Sequence, residues 1–145
     1  MIFQSPLLRT VACTTLVVAL LATASVAQQS PKDLGLGTKR GIQQMQSSGQ
    51  VGTVTLFRRG SHVFVDIRMH GVPGGKVERV GIYRIADCDH PIGQPASYLL
   101  HDLIDAQSAT SIDAALATLL SGNYSVVISS REKPQHTFAC GHLFG

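Results

Sequence analysis

Hydrophobic and polar residues alternate most cleanly between His62 and His70. Val63, Val65, Ile67 and Met69 fall on one face of an extended chain, with His62, Phe64, Asp66, Arg68 and His70 on the other. A period of two predicts a strand buried on one side only. The preceding Val51-Gly52-Thr53-Val54-Thr55-Leu56-Phe57 has strong strand propensity, and Arg58-Arg59-Gly60-Ser61 fits a short hairpin connection. Val72-Pro73-Gly74-Gly75 reads as a turn, because Pro fixes one backbone angle and Gly accepts the unusual ones. Lys76 to Ala86 is expected to form a strand with Val80 and Ile82 inward and Glu78 and Arg84 outward. Asp87 to Ala96, with two prolines, is expected to be a loop, and Tyr98 to Ile104 another strand.

The period changes between Ser111 and Leu120. Ile112, Ala115, Leu116, Leu119 and Leu120 recur at helical spacing, while Ser111 suits an N-cap and Gly122 a C-terminal stop. A short helix is predicted there. Asn123 to Ser129 and Thr137 to Leu143 return to strand on either side of a charged turn, Arg131-Glu132-Lys133-Pro134. Roughly six short strands with one helix in a crossover predict an all-β fold, a Greek-key β-sandwich or barrel.

Upstream of this domain the pattern is different. Met1 to Ala27 reads as a secretory signal: Arg9 supplies the positive charge, Thr10 to Ala24 is uncharged and largely apolar, and Ser25-Val26-Ala27 offers a small-residue cleavage site. The apolar run is shorter than the roughly 20 residues of a membrane span, so cleavage is expected and no stable span remains. Residues 28–49 are polar, rich in Gly, Ser and Gln, and are expected to be a flexible leader to a domain over 50–145. Export to the periplasm or beyond the cell follows. Loss of Cys13 with the signal leaves Cys88 and Cys140, which an oxidising compartment allows to form a disulfide.

Composition narrows the class. Of 145 residues, 44% are hydrophobic and 14% charged, which excludes a disordered chain. The net charge of +3 comes with no Lys/Arg stripe, so no nucleic-acid partner is expected. No Gly-x-Ser-x-Gly elbow and no Gly-x-x-x-x-Gly-Lys loop is present, which argues against a serine hydrolase and a P-loop enzyme. The histidines are His62, His70, His90, His101, His136 and His142. His62 and His70 lie eight residues apart, about 27 Å along a strand, too far to share an ion. His90, His136 and His142 are the weak candidates for a metal site, because a Cys88–Cys140 bond would draw their segments together.

Two segments resemble the copper–zinc superoxide dismutase family. Phe138-Ala139-Cys140-Gly141-His142-Leu143 is similar to that family's closing strand, with its Ala-Cys-Gly. Gly81-Ile82-Tyr83-Arg84-Ile85-Ala86-Asp87-Cys88 resembles its Gly-Phe-His-x-His strand running into a loop cysteine. Gly52-Thr53-Val54-Thr55-Leu56 and Val72-Pro73-Gly74-Gly75 match in order and spacing, so the resemblance runs from Gln50 to Gly145. Ala114-Ala115-Leu116 through Leu120-Ser121-Gly122-Asn123-Tyr124-Ser125-Val126-Val127-Ile128 also resembles the chordin-type domain, although Ser129-Ser130 stands where that family has His-Thr.

The dismutase resemblance implies a Cys88–Cys140 disulfide tying a long loop to the barrel. It also implies copper ligands at the positions held here by Tyr83, Ile85 and Ser129, and a substrate-guiding Arg where Thr137 stands. Copper needs several converging imidazoles, and none of these positions supplies one. His90-Pro91 and His101-Asp102 only echo the zinc-bearing segments, short of the four ligands of a structural zinc site. The expectation is therefore an exported domain without dismutase activity, with no catalytic residue and no cofactor, acting as a binding or structural module for a protein or small ligand. The rival expectations are a superoxide dismutase with rearranged ligands and a periplasmic copper-binding protein.

Overall fold

The computed structural model describes residues 35–85, 87–89 and 93–145. The expected signal Met1–Ala27, the start of the leader, Cys13 and the metal candidate His90 lie outside the described residues. The chain folds in the order β1 (Thr38–Gln44), β2 (Val51–Arg59), β3 (His62–His70), β4 (Glu78–Tyr83), β5 (Tyr98–Leu99), β6 (Gln107–Ile112), α1 (Leu116–Ser121), β7 (Ser125–Ser130) and β8 (Thr137–His142). All pairings are antiparallel in one eight-stranded sheet of order β5-β4-β7-β8-β1-β2-β3-β6. Non-consecutive neighbours at β4–β7, β1–β8 and β3–β6 make the crossovers of a Greek-key chain. The all-β expectation holds.

Curling of this sheet nearly closes a barrel. β1 joins the two halves, pairing with β2 from Thr38↔Leu56 to Ile42↔Gly52 and with β8 at Gln43↔Cys140 and Gln44↔Ala139. Between the edge strands β5 and β6, Leu103 exchanges backbone hydrogen bonds of 2.8 and 3.2 Å with Glu78, and Ile104 exchanges two of 3.0 Å with Gln107. Inside, Val63, Val65 and Ile67 of β3 meet Val54 and Leu56 of β2, Val80 and Ile82 of β4, and Val126 and Ile128 of β7, none more than 1% exposed. Each such side chain contributes about 1.5–3 kcal/mol on leaving water. The period of two in β3 is the structural cause of this layer, as expected.

Four sequence expectations are corrected. The leader 28–49 contains β1: Gly and Gln hide the strand, since only Ile42 is buried along it. Gly41 and Gly141 also have a packing role, because a Cβ on Gly141 would collide with the Gly41 carbonyl. The helix does not begin at Ser111. Residues Gln107–Ile112 form β6, whose inward side chains Ser108 and Thr110 are polar and so conceal the alternation. Each is satisfied by the backbone of His101, Ser108 Oγ donating to its carbonyl at 2.6 Å and Thr110 Oγ1 accepting its N–H at 2.9 Å. The helix starts at Leu116 without a side-chain cap, and Gly122 closes it as expected. The Tyr98–Ile104 strand shortens to Tyr98–Leu99.

Glu78 is the fourth correction. The sequence pattern places it outward, but it is only 3% exposed. Strand parity explains it, because residues 78, 80 and 82 share a face and Val80 and Ile82 line the core.

Candidate functional site

One corner of the barrel is built around Cys88 and Cys140. Their Cα atoms lie 5.8 Å apart and their sulfurs are at bonding distance. The chain following β4 is thereby held across the outer face of the sheet. Beneath it Tyr83, Val127 and Cys140 are buried, packed with Met45, Ile85, Cys88 and Ala96. This second apolar layer is why β4 and β7 are buried on both faces rather than alternating. Gly81 makes room for it: a Cβ there would stand 2.8 Å from the Tyr83 ring and 3.0 Å from the Ala96 methyl.

The positions that the dismutase resemblance assigns to copper do not converge. Tyr83 pairs with Ser125 and Arg79 with Ser129, so four residues of strand, about 13 Å, separate Tyr83 from Ser129. Ser129 instead faces Thr137 across the β7–β8 ladder. Tyr83, Ser129 and Thr137 are all buried, and Tyr83 fills space under the loop with a phenol ring. A phenol, an aliphatic side chain and a distant hydroxyl do not fit a copper ion.

The weak metal candidates are also dispersed. His136 immediately precedes β8 and His142 ends it, about 20 Å apart at strand rise. His136 packs its ring edge-on against Phe138 at 5.1 Å. His142 Nδ1 lies 3.0 Å from Ser125 Oγ, whose hydroxyl donates to the Ile85 carbonyl at 3.0 Å. The zinc-like pair is engaged elsewhere: His101 Nδ1 donates to the Ala109 carbonyl at 2.9 Å, and Asp102 ion-pairs with Arg131 at 2.8 Å. Among the described residues, no three His, Cys, Asp or Glu side chains gather at metal-binding spacing.

A cavity of about 540 Å³ lies at one end of the barrel. Three connections surround it: the β1–β2 turn, the Pro73–Val77 segment, and the β7–β8 turn. The first is tightly held. Met45 N donates to the Phe138 carbonyl at 2.8 Å, Ser48 Oγ donates to the same carbonyl, and Gln50 N donates to Ser48 Oγ at 3.1 Å. Gln46 and Ser47 adopt φ of 52° and 57°, a left-handed strain that the anchored turn imposes. Gln50 is thus fixed at the start of β2, and the paired backbone of Glu78 is fixed by Leu103.

Their side chains meet in the cavity wall. Gln50 Nε2 donates to Glu78 Oε1 at 2.7 Å, and the two residues are 2% and 3% exposed. Gln50 Oε1 and Glu78 Oε2 are buried without a hydrogen-bond partner. Burial pushes the Glu78 carboxyl above the usual glutamate range, and the Gln50 hydrogen bond only partly opposes this. Lys76, Arg131, Glu132 and His136 are exposed around the same cavity. The sequence pattern places Glu78 outward and marks neither Gln50 nor Glu78 as a site residue. Parity with Val80 and Ile82 was the available signal for Glu78, whereas nothing local marks Gln50.

No family model matches the chain, and no curated protein does either.

Proposed function

We propose that the chain is an exported binding module, built on a barrel of the superoxide dismutase or chordin type, that does not consume superoxide. Its ligand site is the barrel-end cavity whose wall holds Glu78 and Gln50. One observation carries the non-catalytic reading: Tyr83 and Ser129 stand about 13 Å apart, so the resemblance-derived copper positions define no common point. Burial of Tyr83 beneath the loop supports the same conclusion. The binding reading is supported by a buried carboxyl and amide in the wall of the cavity, polar groups of the kind that set orientation in a pocket. Export is supported by the Met1–Ala27 pattern and by the closeness of Cys88 and Cys140. Metal analysis of the exported protein, together with superoxide consumption after copper loading, tests the proposal. Stoichiometric copper with turnover would overturn it.

A further inference from the structure

We infer that the Glu78–Gln50 pair is a receptor for a primary ammonium group carried on a short apolar body. This rests on reading the barrel-end cavity as the ligand site. Glu78 Oε2 and Gln50 Oε1 are two acceptors on two almost wholly buried side chains, and neither has a partner. A buried acceptor left without a partner is costly, so a group donating to both is favoured there. Their parent side chains are joined at 2.7 Å, so the two acceptors belong to one linked pair in the cavity wall, which a donor entering there would have to engage by displacing the groups that cover it.

The chemistry selects the donor. A guanidinium binds best as a fork across both oxygens of a carboxylate. Here Oε1 is already occupied by the Gln50 amide, so the fork has only half its partner. A hard divalent cation asks for about six to eight oxygen ligands, and this wall offers one carboxylate oxygen and one amide oxygen. An ammonium has three N–H donors on one centre. It can serve both acceptors and bring the opposite charge to Glu78.

The surroundings agree. Arg131 is already ion-paired with Asp102 at 2.8 Å, which leaves Lys76 as the other side-chain cation lining the cavity, with Glu78 and Glu132 as its acidic groups. Met45, Val77 and Phe138 supply apolar wall for an alkyl or aryl body.

Titrations of the folded protein followed by backbone amide chemical shifts test this, with n-butylammonium as the probe. The expected result is saturable shifts at Ser48, Gln50, Val77 and Ser130, with none at Ser125 or His142. Tetramethylammonium, which has the charge but no N–H, and n-butanol, which has the body but no charge, should each bind at least about tenfold more weakly. Glu78→Gln should weaken butylammonium by at least about tenfold, and Gln50→Met should weaken it with Glu78 intact. A Lys76→Met protein that binds no more weakly than the parent supports the assignment. Equal binding of butanol overturns the ammonium inference while leaving the cavity as a binding site. Absence of saturable shifts with butylammonium overturns it outright. Dismutase turnover would sink the module reading without altering these titrations, so the two failures are distinguishable.

Discussion

Gln50 and Glu78 are joined by a 2.7 Å hydrogen bond between side chains that are 2% and 3% exposed. Burial raises the Glu78 pKa, so the folded protein holds this proton more tightly than the unfolded chain does. Between the unfolded and folded pKa values the native state binds more protons, and stability therefore falls as pH rises through that window. Glu78→Gln removes the ionisation while keeping the shape. At neutral pH the variant should be as stable as the parent or more stable, by about 1 kcal/mol, with the difference vanishing below the ordinary glutamate range. Denaturant midpoints measured across pH check this. A variant destabilised at neutral pH and unchanged in its pH slope would contradict it.

The Cys88–Cys140 link closes a loop with a sequence separation of 52 and holds the outer apolar layer in place. Chain entropy gives such a link about 4 kcal/mol. Cys140→Ser, or reduction of the parent, should therefore lower stability by about 2–5 kcal/mol. Thiol counting on the unreduced, unfolded exported protein should find none free at these positions. Reactive thiols there, or no loss of stability on reduction, would refute the link.

Gly81 is predicted to be intolerant of side chains. Gly81→Ala places a methyl 2.8 Å from the Tyr83 ring and 3.0 Å from Ala96, and should cost about 1–3 kcal/mol through forced repacking. Gly74→Ala is the control, since an added Cβ there meets nothing within 4 Å. Its effect should stay within about 0.5 kcal/mol. Equal effects at the two glycines would show that the ring does not rest on Gly81.

Legibility in the sequence followed burial. β2 and β3 were readable because their inward positions are apolar and their outward positions largely are not. β1 was unreadable because a single buried Ile42 gives no period, and its place is set by pairing with Leu56 on one side and Cys140 on the other. β6 was mistaken in part for helix because Ser108 and Thr110 face inward, and their hydroxyls are satisfied by His101, a long-range partner no local pattern announces. The Cys88–Cys140 pairing was legible from composition and resemblance. The Glu78–Gln50 pair was not, since its members meet across 28 residues and one of them contradicts the habit of placing charge outside.

Export carries its own expectation. The protein recovered outside the cytoplasm should have a mass beginning at Gln28 or within a few residues of it, because Ser25-Val26-Ala27 is the small-residue site. A mass retaining Met1 to Ala27 would overturn the proposed cleavage.

Superoxide consumption by copper-loaded protein, measured beside an active dismutase at equal molar concentration, tests the central claim most directly. Tyr83, Ile85 and Ser129 lack imidazoles, Tyr83 and Ser129 stand about 13 Å apart along the ladder, and Thr137 carries no charge to draw an anion inward. The predicted result is that, once unbound copper has been removed by desalting through a chelator, the protein retains no copper and consumes no superoxide above buffer. A rate within about tenfold of the active enzyme, from copper that stays with the folded protein through that desalting, would contradict the account.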